Sequence, residues 1–544
     1  MKPLLHSSFL LLTLLCAAAA PTTPISPDRI KADVKVLSSD EFLGRGPGEP
    51  GEEKTIAYLS DTFAKIGLEP AGENGRWTQE VPLVRLDRLP GASISCKIGT
   101  DTIPLVLGHN ASLALRTPGP TTVTNAPLAF AGYGVVNSAL HWDAYEGVDL
   151  AGKIAVMLAN DPDLEAGRDL GFEGRRMSYA GRTAVKLEAA AKAGAIGVII
   201  IHEEAATSYP FSQMGSGDAL PTFTFAPLVP SALKFSGYIS VEAANDLFKK
   251  AGLTLPELKV RARDSGFRAF PLKDATLSVT GELKATPFVS HNVLAQIKGG
   301  SRPNECILYG AHWDANGQNG PDKTGDGIRN GAVDNATGTA EVLEIARAFQ
   351  AGKPPARTVI FAAWTAEEKG LMGSEYYAAH PLHPLATFAA VINLDPHVVL
   401  PAARDLELIG GGRTTLEDDF AKVAKLQNLR VTPEPNPEAG WYFRSDHFSF
   451  AKRGVPALAF RAGRDLVDGG TAAGQKIVSA FNTNCYHQPC DQFDPRWSFA
   501  GTVQEASVAY ALGRELADSA AWPSWNAGNE YKSLRDQTNA ERPQ

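Results

Sequence analysis

The sequence is poor in cysteine, carries no excess of basic residues and has no long apolar segment after its first residues. Only 5 of the 544 residues are cysteines, which excludes a fold held together mainly by disulfides. Phosphate binding requires clustered Lys and Arg, so a net charge of −8 without a basic stripe excludes a nucleic-acid partner. The lack of a later apolar run of bilayer length predicts no membrane span in the mature chain.

The first residues, "MKPLLHSSFLLLTLLCAAAAP", have the pattern of a secretory signal peptide. Lys2 precedes an apolar run that is too short to span a bilayer, and small residues follow it. We expect a signal peptide over residues 1–20 with cleavage near Ala18 to Ala20. Leu15 before Cys16 argues against a lipoprotein signal. The mature protein is therefore predicted to be periplasmic or secreted.

The composition and the order of patterns predict more than one domain. Hydrophobic residues make up 44% of the chain and charged residues only 21%, which is enough material for large cores. Residues 28–72 show helical spacing, and short β-rich runs follow from about residue 110. After about residue 285, strands alternate with helices. This pattern predicts an α/β fold with a mixed, mostly parallel sheet flanked by helices.

Three of these predicted strands end in side chains that bind metals. "CILYGA" leads to His312, "RTVIFAAW" to Glu367 and Glu368, and "AAVINL" to Asp395. Ligands of open α/β sheets gather beyond the carboxyl ends of the strands, so these side chains are expected at one edge. "NGAVDNATG" adds Asp334 in a loop that enters a helix.

A downstream histidine completes a set that fits two zinc ions. Two adjacent zinc ions need a shared carboxylate, further imidazole or carboxylate ligands and positions left open for water. The candidate ligands are His312, Asp334, Glu368, Asp395 and His487, the last from "CYHQPCD". We therefore predict two Zn²⁺ per chain as the cofactor.

Three further residues are candidates for catalytic roles. Consecutive residues that leave a strand point in different directions, so Glu368 can bind a metal while Glu367 serves as the general base for water. The carboxylate of Asp314, two residues after His312, is expected to orient the imidazole of that histidine. The phenol of Tyr486 is expected to stabilise the oxyanion of a tetrahedral intermediate, with a packed aromatic residue as the alternative.

Six motifs in order resemble a known family. "GAHWD", "NGAVDNATG", "AAWTAEEKGLMGS", "INLD", "FRSDHFSFAKRGVPAL" and "CYHQPCD" are similar to the di-zinc exopeptidases of metallopeptidase family 28. The resemblance implies a zinc-exopeptidase-like fold with an inserted, β-rich protease-associated (PA) domain. It implies an N-terminal part of the peptidase domain over residues 21–109, a PA insert over 110–284 and a catalytic domain over 285–520, called the peptidase region below. The signal peptide over residues 1–20 precedes these parts, and the polar composition of residues 521–544 predicts a loose C-terminal tail.

The resemblance also implies roles for individual residues. His312, Asp334 and Asp395 would hold one zinc, and Asp334, Glu368 and His487 the other. Glu367 would be the base. Cys485 and Cys490 would form a disulfide beside His487, and the peptide bond between Asp334 and Asn335 would be cis.

The substrate pocket and the reaction leave alternatives open. Arg444, Ser445, Asp446 and His447 either line the substrate pocket or form a structural hydrogen-bond cluster. His397 competes as a ligand, and no segment of the chain indicates a pocket for an acidic side chain. The leading hypothesis is an aminopeptidase acting on peptides. A carboxypeptidase or dipeptidase, a glutaminyl cyclase and a non-catalytic receptor-like binding protein are the alternatives.

Overall fold

The computed structural model describes residues 24–207, 209–212, 214, 220–396 and 398–542. The predicted signal peptide and His397 lie outside the described residues. No helix among the described residues has both the length and the apolar character that crossing a bilayer requires.

Helices occur in the N-terminal part, in the insert and in the peptidase region. They are α1 Pro27–Leu37, α2 Pro50–Ile66, α3 Thr183–Lys192, α4 Glu204–Thr207, α5 Val241–Lys250, α6 Leu255–Ala262, α7 Gly338–Ala351, α8 Met372–Ala379, α9 Leu416–Leu426, α10 His447–Ala451, α11 Gly470–Asn484, α12 Ala500–Asp518 and α13 Lys532–Thr538. The helix that is predicted to follow the Asp334 loop is confirmed as α7.

Strands occur in the N-terminal part, in the insert and in the peptidase region. They are β1 Glu69–Pro70, β2 Thr78–Arg88, β3 Ser93–Ile98, β4 Asp101–Ile103, β5 Ala111–Leu115, β6 Gly119–Phe130, β7 Val136–Asn137, β8 Trp142–Asp143, β9 Ile154–Leu158, β10 Gly197–His202, β11 Thr222–Phe225, β12 Phe235–Ser240, β13 Phe270–Ile297, β14 Arg302–His312, β15 Gly317–Gln318, β16 Ile328–Arg329, β17 Arg357–Trp364, β18 Phe388–Asn393, β19 Asp405–Leu408, β20 Arg430–Pro433 and β21 Ala457–Ala462.

The peptidase region is built on a mixed sheet with a parallel centre. Its strands lie in the order β13–β17–β14–β18–β21–β19–β20. The pairs β17–β14, β14–β18 and β18–β21 are parallel, whereas β13 and β19 pair antiparallel with their neighbours β17 and β21. The predicted α/β fold with a mostly parallel sheet is therefore confirmed.

Alternate residues of the central strands pack into two different cores, one on each face of the sheet. In β14, Ile307 and Tyr309 join the core that includes α7 and α12, while Cys306 and Leu308 join the core on the opposite face. Both faces are covered, so the strand reads as a continuous apolar run rather than an alternating one. This double burial leaves the strand ends as the places where polar side chains collect.

The insert has its own hydrophobic core and its own parallel strands. Strands β6, β9, β10 and β12 pair side by side in parallel, and β5 pairs antiparallel with β12. The core of the insert also contains Ile94, Cys96 and Ile103 from β3 and β4, which precede the boundary predicted at residue 110. The long strand β13 crosses the boundary predicted at residue 284 and pairs with β3, β6 and β17.

The C-terminal tail is packed, so the prediction that it is loose is wrong. Trp525 is 2% exposed and donates a hydrogen bond from Nε1 to the carbonyl oxygen of Gly454, at 2.8 Å. Tyr531 is buried in the core on the face that also holds Phe448. Arg535 is buried and donates to the carbonyl oxygen of Phe388. Widely spaced aromatic residues anchor the tail, although its composition is polar.

Candidate metal centre

The predicted ligands collect at the carboxyl edge of the parallel strands. In the strand register, His312 lies opposite Trp364 and Gly310 lies opposite Asn393, so β14, β17 and β18 end at nearly the same level. His312 is the last residue of β14, while Glu367 and Asp395 follow the ends of β17 and β18 by a few residues. The regular parallel register is therefore what brings these side chains together.

Asp334 lies between the two histidines of the site. Its Oδ1 is 3.2 Å from Nε2 of His312, and its Oδ2 is 3.1 Å from Nε2 of His487. Nε2 of His312 lies 3.6 Å from Oδ1 of Asp395, and Nε2 of His487 lies 3.1 Å from Oε2 of Glu368. Two three-residue groups result, His312 with Asp334 and Asp395, and Asp334 with Glu368 and His487. All five predicted ligands converge.

Some of the predicted ligand atoms lack the hydrogen-bond partners that buried polar atoms normally have. Nε2 of His312 and Oε1 of Glu368 are buried and have no hydrogen-bond partner among the described residues. Buried polar atoms are normally satisfied, so such orphans call for an ion. Imidazole nitrogens and carboxylate oxygens are ligands that zinc accepts, and each group offers three of them. The residues present therefore fit a pair of zinc ions that share Asp334.

Glu367 belongs to neither ligand group but lines a cavity together with four of the five predicted ligands. Ala366 adopts a left-handed conformation with φ of 51°, which turns the chain out of β17 before the two glutamates. Oε2 of Glu367 lies 3.9 Å from Nε2 of His312. Burial raises the pKa of Glu367, and the negative charges of Asp446 and Asp395 raise it further although His312 opposes them. The position agrees with the expected divergence of Glu367 from Glu368.

Asp314 is placed differently from the expectation. Nδ1 of His312 lies 3.1 Å from the backbone oxygen of Asp314 and 3.6 Å from its carboxylate. The carboxylate instead accepts hydrogen bonds from the backbone N–H groups of Glu367, at 3.0 Å, and Glu368, at 3.4 Å. Asp314 therefore orients the imidazole through its carbonyl group and holds the two glutamates through its carboxylate.

The loop that carries Asp334 is held by two residues that the sequence analysis missed. Asp491 is buried and accepts hydrogen bonds from the backbone N–H groups of Val333 and Asp334. Arg45 is fully buried and donates to the carbonyl oxygens of Trp313 and Gly331, among others. Burial lowers the pKa of Arg45 to about 10 and raises that of Asp491 to about 7. The motif "CYHQPCD" contains Asp491 and could have indicated it, whereas no local signal indicates Arg45.

Backbone geometry agrees with the family resemblance at two places. The peptide bond between Asp334 and Asn335 is cis, as the resemblance implies. Cys485 and Cys490 form a disulfide, which closes a short loop around His487. The ring of Tyr486 stacks on that of His487 with 3.8 Å between the centroids. Tyr486 therefore lies beside the second ligand group.

Three of the four predicted substrate residues line a cavity beside the ligands, and the fourth is buried away from it. A cavity of about 330 Å³ borders the ligands and is lined in part by Arg444, Ser445 and His447. Ser445 also donates a hydrogen bond from Oγ to Oδ2 of Asp395, at 2.6 Å, which orients that carboxylate. Asp446 is 1% exposed and does not line the cavity. Burial lowers the pKa of His447 to about 3, so its ring is neutral.

The fold and the site define an α/β protein with two adjoining groups of possible metal ligands beside an inserted domain, and family models agree. Residues 292–511 match the model of peptidase family M28, and residues 110–233 match that of the PA domain. These matches place the likeness to peptidase family M28 on the region that holds the ligand groups and the likeness to the PA domain on the insert before it.

Several known proteins are similar to part of this chain or to its overall fold. The leupeptin-inactivating enzyme 1 of Streptomyces exfoliatus is 30% identical over 41% of this chain and 48% of its own. A glutamate carboxypeptidase 2 homologue of Caenorhabditis elegans is 27% identical over 58% of this chain and 45% of its own. The chain thus spans about half the length of these curated relatives. A solved aminopeptidase from Aneurinibacillus sp. strain AM-1 has a TM-score of 0.54 at 20% identity, with 92% of this chain and 96% of that chain covered, which shows a shared fold.

Proposed function

We propose that the protein is an exported di-zinc aminopeptidase that removes N-terminal residues from peptides. The observation that carries the proposal is Asp334, whose two oxygens face His312 and His487 at 3.2 and 3.1 Å. A carboxylate placed between two ligand groups suits a pair of metals rather than one ion. A single-zinc glutaminyl cyclase would not need the second group.

The residues that would hold the metals follow from the two groups. His312, Asp334 and Asp395 would hold one zinc, and Asp334, Glu368 and His487 the other. When bound, the zinc ions supply Lewis acidity, which lowers the pKa of water to about 7 and polarises a carbonyl group. Asp314, Ser445 and Asp491 keep the ligands in place through the hydrogen bonds described above.

The chain's own proton chemistry is assigned to Glu367. Its carboxylate takes a proton from the attacking water and passes it to the leaving amine, a role that suits a carboxylate that lines the cavity beside the ligand groups. Tyr486, stacked on His487, offers its phenol to the developing oxyanion. Ser445 and the carboxylate of Asp395 form one side of the cavity.

Carboxylate oxygens beside the ligand groups favour a substrate with a free amino terminus. Asp395 and Glu367 line the cavity, and carboxylate oxygens there can accept hydrogen bonds from an N-terminal amino group. The solved relative titled an aminopeptidase supports this reading. A carboxypeptidase homologue of Caenorhabditis elegans is also similar to this chain. The second candidate is therefore the release of C-terminal residues or a dipeptidase activity. The signal peptide, the domain limits at residues 110 and 284, and a periplasmic or secreted location belong to the same proposal.

The test combines metal analysis with one variant of the base. We expect two zinc ions per chain, loss of hydrolysis after chelation and recovery when zinc is restored. Glu367→Gln keeps the size of the side chain and is expected to retain both metals while kcat falls by about 10²–10⁴-fold. Near-normal turnover by this variant would remove Glu367 from the mechanism.

A substrate panel decides which end of the peptide is attacked. We expect rapid hydrolysis of aminoacyl substrates and little hydrolysis of the same peptides with blocked amino groups. Equal hydrolysis of free and N-blocked peptides would refute the aminopeptidase assignment. A single zinc per fully active chain would refute the two-metal site.

A further inference from the structure

Three arginine side chains lie against one indole ring at the edge of the sheet opposite the metal ligands. Arg357 is the first residue of β17, while Arg535, Arg542 and Trp522 belong to the C-terminal tail. The guanidinium carbons of Arg357, Arg535 and Arg542 lie 4.9, 5.4 and 4.6 Å from the centroid of the Trp522 ring. The metal ligands follow the carboxyl ends of the strands, so this group, here the tail arginine cluster, is separate from the metal site.

Only one of the three arginines has a carboxylate partner among the described residues. Arg357 donates from Nε to Glu305, at 2.6 Å, and from Nη1 to a backbone carbonyl group of α12, at 2.7 Å. Arg535 donates from Nη2 to the carbonyl oxygen of Phe388, at 2.8 Å. The side chain of Arg542 forms neither an ion pair nor a hydrogen bond in the part of the chain that the structure describes.

Several donor atoms of the cluster are buried without an acceptor. Nε and Nη1 of Arg535, Nη2 of Arg357 and Nε of Arg542 have no hydrogen-bond partner among the described residues. Arg535 is 1% exposed and Arg357 is fully buried, so bulk water does not satisfy these donors. Burial, together with the charges of Arg542 and Arg357, lowers the pKa of Arg535 to about 9. Buried donors without acceptors cost free energy, and charged donors cost more.

Neither the indole ring nor the nearby carboxylates balance these charges. The face of an indole attracts a cation but does not replace the acceptor that an N–H donor needs. Glu305 is shared between Arg357 and Arg302, whose Nε lies 3.8 Å from its carboxylate. Asp536 lies near Arg542 but forms its ion pair with a lysine of its own helix, α13. The cluster therefore lacks an anionic partner.

We infer that the tail arginine cluster binds a small tetrahedral oxyanion, phosphate or sulfate. Donors from separate guanidinium groups need acceptors in several directions, and a tetrahedral oxyanion offers more acceptor oxygens than a carboxylate. Arg357 and Arg535 are buried and Arg542 is half-buried, so a small ion can enter past Arg542, whereas a nucleic-acid backbone or a lipid surface cannot. The bound ion joins the tail to β17. This ion site is independent of the proposed peptidase function.

Calorimetric titration of the zinc-loaded protein with sulfate tests the site directly. Ionic strength is held constant with chloride, so that a change in screening does not contribute to the signal. We expect saturable binding of one sulfate per chain and competition by phosphate. If neither ion binds saturably, the inference is overturned.

Variants connect the binding to the cluster. Arg542→Gln is expected to weaken sulfate binding by about tenfold or more, because it removes a charged donor. Arg535→Gln should weaken binding at least as much, and Arg542→Lys, which keeps the charge, should retain part of the affinity. Arg496→Gln is the matched control, since Arg496 is exposed and pairs with Asp494, and its affinity should not change. Binding that is unchanged in both glutamine variants of the cluster lies elsewhere and overturns the inference.

Thermal unfolding provides a second readout on the same variants. Sulfate stabilises most proteins because it is excluded from their surfaces, so the comparison is made between variants. An ion that binds only the folded state raises the Tm further. The unmodified protein and Arg496→Gln should therefore gain more in Tm from sulfate than Arg542→Gln does. Equal gains in all three proteins contradict a bound oxyanion at the cluster.

Discussion

Polar side chains follow parallel strands in both the insert and the peptidase region, but the hydrogen bonding of these side chains differs. After β9 of the insert, Asp163 accepts hydrogen bonds from the backbone N–H groups of Leu170, Phe172 and Gly174. After β14 and β17 of the peptidase region, Nε2 of His312 and Oε1 of Glu368 have no such partner among the described residues. The same architecture therefore yields a loop satisfied by backbone donors in one region and a set of possible metal ligands with unsatisfied atoms in the other.

This difference separates structural from functional carboxylates. A buried carboxylate that backbone donors satisfy stabilises its loop, whereas one left without donors requires a cation or a proton. The predictions below test that distinction, beginning with the residue on which the metal site depends most.

The largest effect is expected for Asp334→Ala. Removal of the shared carboxylate takes one ligand from each group, so both metals lose affinity and peptide hydrolysis falls below detection. Zinc per chain, measured by emission spectroscopy, should drop well below the value for the unmodified protein. Retention of two tightly bound zinc ions would show that Asp334 does not bridge them.

The next effect is expected for Asp491→Asn. Asp491 belongs to neither ligand group but accepts hydrogen bonds from the backbone of Val333 and Asp334, and an amide would offer one oxygen and one mismatched NH₂ group in its place. Loss of such supporting contacts weakens metal binding by about 10–100-fold. Competition with a zinc chelator measures this affinity. An unchanged affinity would mean that the Asp334 loop keeps its position without Asp491.

Asp163→Ala is the matched change in the insert. It leaves three backbone N–H groups without their acceptor, so we expect the free energy of unfolding to fall by about 2–4 kcal/mol. Zinc content and kcat of the folded fraction should not change. Chemical denaturation and metal analysis of the same sample provide both readouts. A loss of zinc in this variant would contradict the division between the two regions.

The smallest effect concerns Glu341 and Glu505, buried carboxyl groups of the peptidase region outside the ligand set. Burial and the nearby Glu505 raise the pKa of Glu341, and burial raises that of Glu505 to about 8. Both pKa values exceed the unfolded value of about 4.3, so the folded state binds more protons. Their contribution to stability is complete below about pH 4 and is lost as the pH rises through the folded pKa values.

Glu341→Gln tests this pH dependence. The slope of unfolding free energy against pH between about 5 and 8 should become shallower by about 1 kcal/mol per pH unit or less. Denaturant titrations at several pH values measure the slope. An unchanged slope would show that Glu341 is ionised in the folded protein.

Much of the fold and the ligand set was predictable because the signals are local. Continuous apolar runs in β14, β17 and β18 identify strands buried on both faces, and His312, Glu368 and Asp395 follow those runs directly. The tail was mispredicted because its composition is polar, while its burial depends on a few aromatic residues such as Trp525. For Asp314, the spacing indicated the neighbouring His312 but not that the backbone oxygen makes the shorter contact with its ring.

The sequence alone determined the chemical types at the site: imidazoles and carboxylates at strand ends, and an extra glutamate beside a ligand. Only the tertiary structure decided which backbone carbonyl groups Arg45 binds, that Asp491 supports the Asp334 loop, and that Arg182 of the insert and Arg444 line one cavity. The physical reason is separation along the chain. Strand and loop types follow from short-range patterns, whereas contacts between distant segments depend on how complete elements pack.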